Sequence, residues 1–129
     1  MKIRQLDHVN VRTTQLDVLI DWYTQVLGMS SGKRPDFPFP GAWMYVGDSA
    51  VVHLVGKEKT EVLVGSEEAL KLEHFSFAAT GLAEFEARLQ AMDVKYNRVD
   101  NEIVGVIQVN LWDPDGNHIH VDLPPAEVE

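Results

Sequence analysis

Leu6-Asp7-His8-Val9-Asn10-Val11 and, 66 residues later, Leu72-Glu73-His74-Phe75-Ser76-Phe77 are two versions of one segment. Leu meets Leu, an acid meets an acid, and His meets His. Apolar, small polar and apolar positions then alternate in both copies. At the same spacing Thr14 meets Thr80, Leu16 meets Leu82 and Leu19 meets Phe85. A second match lies further on: residues 48–55, DSAVVHLV, align with 115–122, DGNHIHVD, at a spacing of 67, which sets His53 against His120. One extra residue in a connecting loop accounts for the change. Two histidine pairs at nearly one spacing mark an internal duplication, and duplication has to be read before any other pattern.

The elements around these segments follow from periodicity. Residues about 5–12 alternate as a strand, with Leu6, Val9 and Val11 apolar. Leu16, Leu19, Ile20, Tyr23, Val26 and Leu27 have the spacing of an amphipathic helix over 15–27, with Thr13 or Thr14 as its N-cap and Gly28 as its stop. Residues 30–41, SSGKRPDFPFPG, read as a loop rich in Pro and Gly. Strands are expected over 42–46 and 50–55, turning at Gly47-Asp48. Residues 56–71 connect the halves, with a short helix expected at 67–71. The second half repeats the order: a strand at 73–79, a helix marked by Leu82, Phe85, Leu89 and Met92, and strands at 94–99 and 103–112. The DPDGN turn at 113–117 and a last strand at 118–123 follow. The tail, PPAEVE, is too polar and rich in proline to pack.

Alternation also sorts faces. His8, Asn10 and Arg12 oppose Val9 and Val11, and His53 opposes Val52 and Leu54. His74 and Ser76 oppose Phe75 and Phe77. His118, His120 and Asp122 oppose Ile119 and Val121. Each apolar set suits a helix, so the histidines fall on the other face of the sheet. If that face is concave, four imidazoles converge in a cavity.

Composition sets the remaining bounds. The chain of 129 residues, 45% hydrophobic and 24% charged, suits one compact domain. It has no cysteine, which excludes disulfides, thiolate metal sites and cysteine nucleophiles and leaves His, Asp and Glu as side-chain ligands. The N-terminus, MKIRQLDHVNVR, has no secretory apolar core, and no apolar run is long enough to span a bilayer, so a cytoplasmic protein with no membrane partner is expected. A net charge of −9 repels polyanions and argues against nucleic acid. No Ser-His-Asp order, phosphate loop or nucleotide fingerprint is present.

The LDHVNV strand, a helix ending in WYTQVLGM, and the late WDPDGNHIHVDLP resemble the vicinal oxygen chelate superfamily, the group of glyoxalases, bleomycin resistance proteins and extradiol dioxygenases. The resemblance runs from about Ile3 to Leu123. It implies an α+β fold of two tandem βαβββ modules, about 3–56 and 72–123, forming a curved mixed β-sheet around a metal-centred cavity within one domain spanning 1–129. It also implies metal ligands on the first and last strands of each module. Carried over position by position, these fall on His8, His53, His74 and His120, the set given by the repeat. The superfamily usually has Glu where His120 stands, and glyoxalase I has Glu at the position of His53 as well. An all-imidazole set leaves a divalent ion its full positive charge, which suits an anionic ligand rich in oxygen.

Imidazole donors suit one divalent transition metal ion: zinc, iron, nickel, cobalt or copper. His118 shares the face of His120 and is expected to contact the metal's surroundings or the substrate. Asn10, Arg12, Gln108, Asn110 and Trp112 are the candidate substrate contacts. Trp43, Tyr45 and Trp112 suit a core as well as a site, with core the expected place for two of them. The segment with Arg34, Phe37 and Phe39 is a candidate lid. Asp113 and Asp115 are expected to cap their turn rather than act as a catalytic pair. Glu73 and Glu102 are the carboxylates in reach of a base role, and no residue is assigned it. The resemblance implies a metal-dependent lyase or isomerase acting on a small substrate chelated through adjacent oxygens, in a homodimer. The alternatives are an extradiol-type dioxygenase and a non-catalytic, small-molecule-binding protein like the bleomycin resistance members.

Overall fold

In the computed structural model, which describes residues 1–59 and 72–125, the chain divides into two compact units, Met1–Val64 and Gly65–Glu129. The first carries β1 (Val9–Thr13), α1 (Leu16–Gln25), β2 (Ser30–Gly32), β3 (Gly41–Val46) and β4 (Ser49–Gly56). The second carries β5 (His74–Ala78), α2 (Leu82–Ala91), β6 (Tyr96–Asn101), β7 (Val106–Trp112) and β8 (His118–Leu123). Each module is βαβββ with its own four-stranded sheet, ordered β1-β4-β3-β2 and β5-β8-β7-β6. In each the first and last strands pair in parallel and the other pairs are antiparallel, so both sheets are mixed. The expected short helix at 67–71 and the end of the tail lie outside the described residues. No described helix is long and apolar enough to cross a membrane.

The strand register repeats what the sequence repeats. Asn10 pairs with His53, and Ser76 with His120; Trp43 pairs with His53, and Asn110 with His120. Residues matched at spacings of 66 and 67 therefore occupy equivalent places. In the first module α1 packs on β2, β3 and β4, and Leu19, Tyr23, Met44, Val52 and Leu54 are all fully buried. In the second, Leu89, Val109, Leu111 and Ile119 are likewise buried. The Tyr96 hydroxyl donates to Glu86 at 2.9 Å, Arg98 donates to Glu86 at 3.0 Å, and Gln90 donates to Tyr96 at 3.2 Å. These bonds fix α2 on the side of Tyr96 and Arg98, the strand partners of Leu111 and Val109. The opposite face of the same sheet is left to the polar set.

Several boundaries differ from the sequence expectation, β6 among them, which runs two residues later than the expected 94–99. The β1 ladder opens at Val9↔Val52, so Leu6 stays outside the sheet at 81% exposure rather than joining a core. Residues 30–32 form an edge strand instead of a loop. Two serines and a glycine have little strand preference, and the pairing comes from context: a Cβ at Gly32 would meet the Tyr45 ring at 2.7 Å, so only glycine lets that ring lie across β2. The Tyr45 hydroxyl donates to the Lys33 carbonyl, closing the strand end. Thr13 takes the Gln15 amide on its hydroxyl at 3.0 Å, two residues ahead of the Gln15 cap position. Finally, β7 begins at Val106, because Asn101 accepts Val104 N–H on its side chain and Gly105 N–H on its carbonyl, turning 102–105 out of the strand.

Candidate functional site

In the first module the His8 ring stacks on His53 at 3.9 Å between centroids, and His53 stacks on Trp43 at 4.0 Å. His8 lies just ahead of β1, where the backbone is not yet in a ladder. Its ring can therefore turn to Asp7, whose carboxylate accepts from Nδ1 at 2.7 Å. His53 is buried on β4, and its Nε2 lies 3.0 Å from the Ala50 carbonyl. A carboxylate and a carbonyl only accept. His8 therefore carries a proton on Nδ1 and His53 on Nε2, and in the neutral form each ring keeps a lone pair on its other nitrogen.

The second module does the same with other residues. Glu73 accepts from His74 Nδ1 at 3.1 Å, again from a position just ahead of the strand. The His74 ring stacks on His120 at 3.9 Å and lies 5.4 Å from that of His118. One ligand atom from each of His74, His118 and His120 falls within 4.8 Å of the others. Imidazole nitrogens bound to a single ion at about 2.1 Å stand no more than about 4.2 Å apart, so the cluster is nearly at ligand spacing. Oxygen acceptors that hold the far nitrogen of a ring are the usual outer support of a metal-binding histidine. The donors of the second module, His74, His118 and His120, thus fit a divalent transition ion without any carboxylate ligand.

Burial pushes the His53 imidazole below its ordinary pKa of 6.5, with His8 adding to the effect against the pull of Ala50 and Asp7. His120 is lowered in the same way, by burial first and then by His74 and His118, against Asp122 and Glu73. Both rings are therefore held neutral, the form that binds metal. The sign for stability follows: the unfolded chain takes up these protons first, so the contribution is complete above about pH 6.5, declines as pH falls toward the folded values and is flat below them. The metal-free protein should show a urea midpoint that drops between about pH 7 and pH 5. A midpoint unchanged over that range would contradict the neutral assignment.

Asn10 and Arg12 are exposed on the His53 face of the first sheet, Asn10 directly beside His53. Gln108, Asn110 and Trp112 pair with Asp122, His120 and His118, so all three lie on the histidine face of the second sheet. Trp112 is 39% exposed and stacks on His118 at 4.7 Å, and Trp43 and Tyr45 are half-buried on the histidine face; none of the three is in the core. Arg34, Phe37 and Phe39 form a cluster of their own: Phe37 stacks on Phe39 at 5.1 Å and reaches Trp43 at 6.4 Å, while the guanidinium lies over both phenyl rings and donates to the Phe39 carbonyl. Asp122 accepts the Ser76 hydroxyl at 2.8 Å on one oxygen, and the other is buried with no hydrogen-bond partner among the described residues. Glu102 is exposed. The Asp7 and Glu73 supports were visible in the sequence as the acid before each repeated histidine, but strand alternation places neighbours on opposite faces and hid their contact.

Comparison with known proteins agrees with this architecture. The family model described as Glyoxalase/Bleomycin resistance protein/Dioxygenase superfamily matches residues 5–121. A protein named glyoxylase I 4 from Arabidopsis thaliana is 30% identical over 126 residues, covering 94% of this chain and 71% of its own length. Among solved structures, a glyoxylase/bleomycin resistance protein/dioxygenase domain from Frankia superposes with a TM-score of 0.78 at 17% identity, covering 95% of this chain and 99% of the other. The trypanothione-dependent glyoxalase I of Leishmania major gives 0.70 at 22% identity, covering 98% and 91%.

Proposed function

This chain belongs to the glyoxalase/bleomycin resistance protein/dioxygenase superfamily, and from that membership we propose a metal-dependent enzyme, a lyase or isomerase for a small substrate chelated through adjacent oxygens. The observation that carries the reading is the support of the rings. His8, His53 and His74 each give one N–H to an oxygen and keep a lone pair on the other nitrogen. The proposed ligands are His8, His53, His74 and His120, with both modules acting as one domain. Zinc, iron, nickel and cobalt all suit these donors. A bound divalent ion supplies Lewis-acid polarisation of two neighbouring substrate oxygens.

The chain's own groups then divide the remaining work. Arg12 offers a fixed positive charge to an anionic substrate, and Asn10 offers an amide beside His53. Trp112 presents a flat apolar wall and Gln108 a polar side chain on the His120 face. Glu73 is engaged with His74, which favours an orienting role for it over that of a base. The all-imidazole set departs both from the two-His, one-carboxylate pattern of oxygen-activating iron and from the carboxylate ligands of glyoxalase I, so the preference for lyase or isomerase chemistry rests on the similarity to glyoxylase I 4. The reading extends to a cytoplasmic homodimer, since related chains of this size commonly pair.

Metal analysis of the purified protein, followed by parallel assays of hemithioacetal isomerisation and of oxygen uptake with catechols, tests the reading. About one transition ion per chain with isomerisation but no oxygen uptake is expected. Oxygen uptake would reassign the enzyme as a dioxygenase. No bound ion, and small-molecule binding without turnover, would make it a binding protein.

A further inference from the structure

We propose that His118, through Nδ1, is an additional ligand of the ion, and that Asn110 is the residue that positions it; this rests on the metal reading above. The register makes the second module unlike the first. With His120 equivalent to His53, His118 stands where the first module has Val51, so the repeat supplies no reason for a histidine there. Its placement is nevertheless tightly built. The Asn97 carbonyl accepts from Asn110 Nδ2 at 3.2 Å, and Asn110 Oδ1 lies 3.0 Å from His118 Nε2.

The logic of that chain runs outward from the backbone. A carbonyl can only accept, so the Asn110 amide must turn its NH2 toward Asn97 and its oxygen toward His118. An amide oxygen can only accept in turn, so His118 carries a proton on Nε2, and the neutral ring keeps its lone pair on Nδ1. Asn110 is buried, and the His118 side chain keeps only 9% of its exposure, so water competes little for either bond. The Trp112 ring lies 13° from parallel to His118 and fixes the imidazole plane. Glu73 Oε1 is 3.9 Å from His118 Nδ1, a negative charge that favours a cation at this edge. One ligand atom from each of His74, His118 and His120 lies within 4.8 Å of the others. The second module alone therefore gathers three imidazole donors where the repeat requires two.

Long-range nitrogen–proton NMR on the native, metal-free protein reads the tautomer directly, and a zinc titration then reads the ligand. The expected result is an Nε2–H His118 whose Nδ1 resonance moves on zinc addition. His118→Ala should weaken zinc by about tenfold or more, and Asn110→Ala by about 10–100-fold with a mixed His118 tautomer. If Asn110→Ala fails to fold, the native spectra still decide the matter. A His118 that keeps a proton on Nδ1 in the zinc-loaded protein overturns this proposal while leaving the other four ligands in place. A native chain that takes up no zinc overturns the metal reading and this one together.

Discussion

Replacing His74 with alanine should lower zinc affinity by about a hundredfold or more, while the protein stays folded. Structural zinc sites bind with roughly 10–16 kcal/mol over four ligands, so one ligand is worth about 3 kcal/mol, or more than two decades in affinity. His74 is suited to the test because its side chain is 37% exposed and its support, Glu73, is 63% exposed. Surface replacements of this kind change stability by only about 0.5 kcal/mol. Loss of binding will thus be separable from loss of fold. Competition with a chromophoric chelator gives the affinity, and urea unfolding of the metal-free variant gives the stability. Native affinity in His74→Ala would remove His74 from the ligand set.

The second large effect is on stability and falls outside the histidines. Asp113 is 4% exposed and organises the turn before β8: its Oδ1 accepts from the amides of Asp115 at 3.0 Å and Asn117 at 2.9 Å, and its Oδ2 from the Asn117 side chain at 2.8 Å. Asp113→Ala leaves these donors without their acceptor in a partly buried turn, at a cost of about 1–3 kcal/mol each for the less solvated ones. A total of about 3 kcal/mol, or some 10 °C in Tm, is expected by calorimetry. The turn matters beyond its own bonds because it sets the Trp112↔His118 register. A slip of one residue there would exchange the faces of His118 and Ile119. A Tm within about 2 °C of native would show that the strands hold the register without the turn.

How far the sequence reveals this protein depends on which physical signal each residue leaves. The duplication was legible because βαβββ units repeat their periodicity, and the DPDGN turn was legible because its residues have one dominant use. The bounds of β8 are legible to the residue, since its alternation of half-buried and buried side chains follows directly from HIHVDL. β2 left no such trace: Ser30, Ser31 and Gly32 become a strand only because β3 offers an edge and Tyr45 needs the space above Gly32. The core places expected for two of Trp43, Tyr45 and Trp112 failed for a related reason. Trp43 and Trp112 find their apolar partners in imidazole faces, which hydropathy does not count as apolar. The support of each ring was hidden more deeply, because Asp7 and Glu73 act just before a regular strand begins, and Asn110 acts across the sheet.

Crystals grown with cobalt and measured on both sides of its absorption edge test the metal proposal most directly. One anomalous peak per chain, within bonding distance of imidazole nitrogens from His8, His53, His74 and His120 and with His118 turned to it through Nδ1, is the expected result. Cobalt bound elsewhere on the chain, or absent from all five rings at saturating concentration, would contradict it.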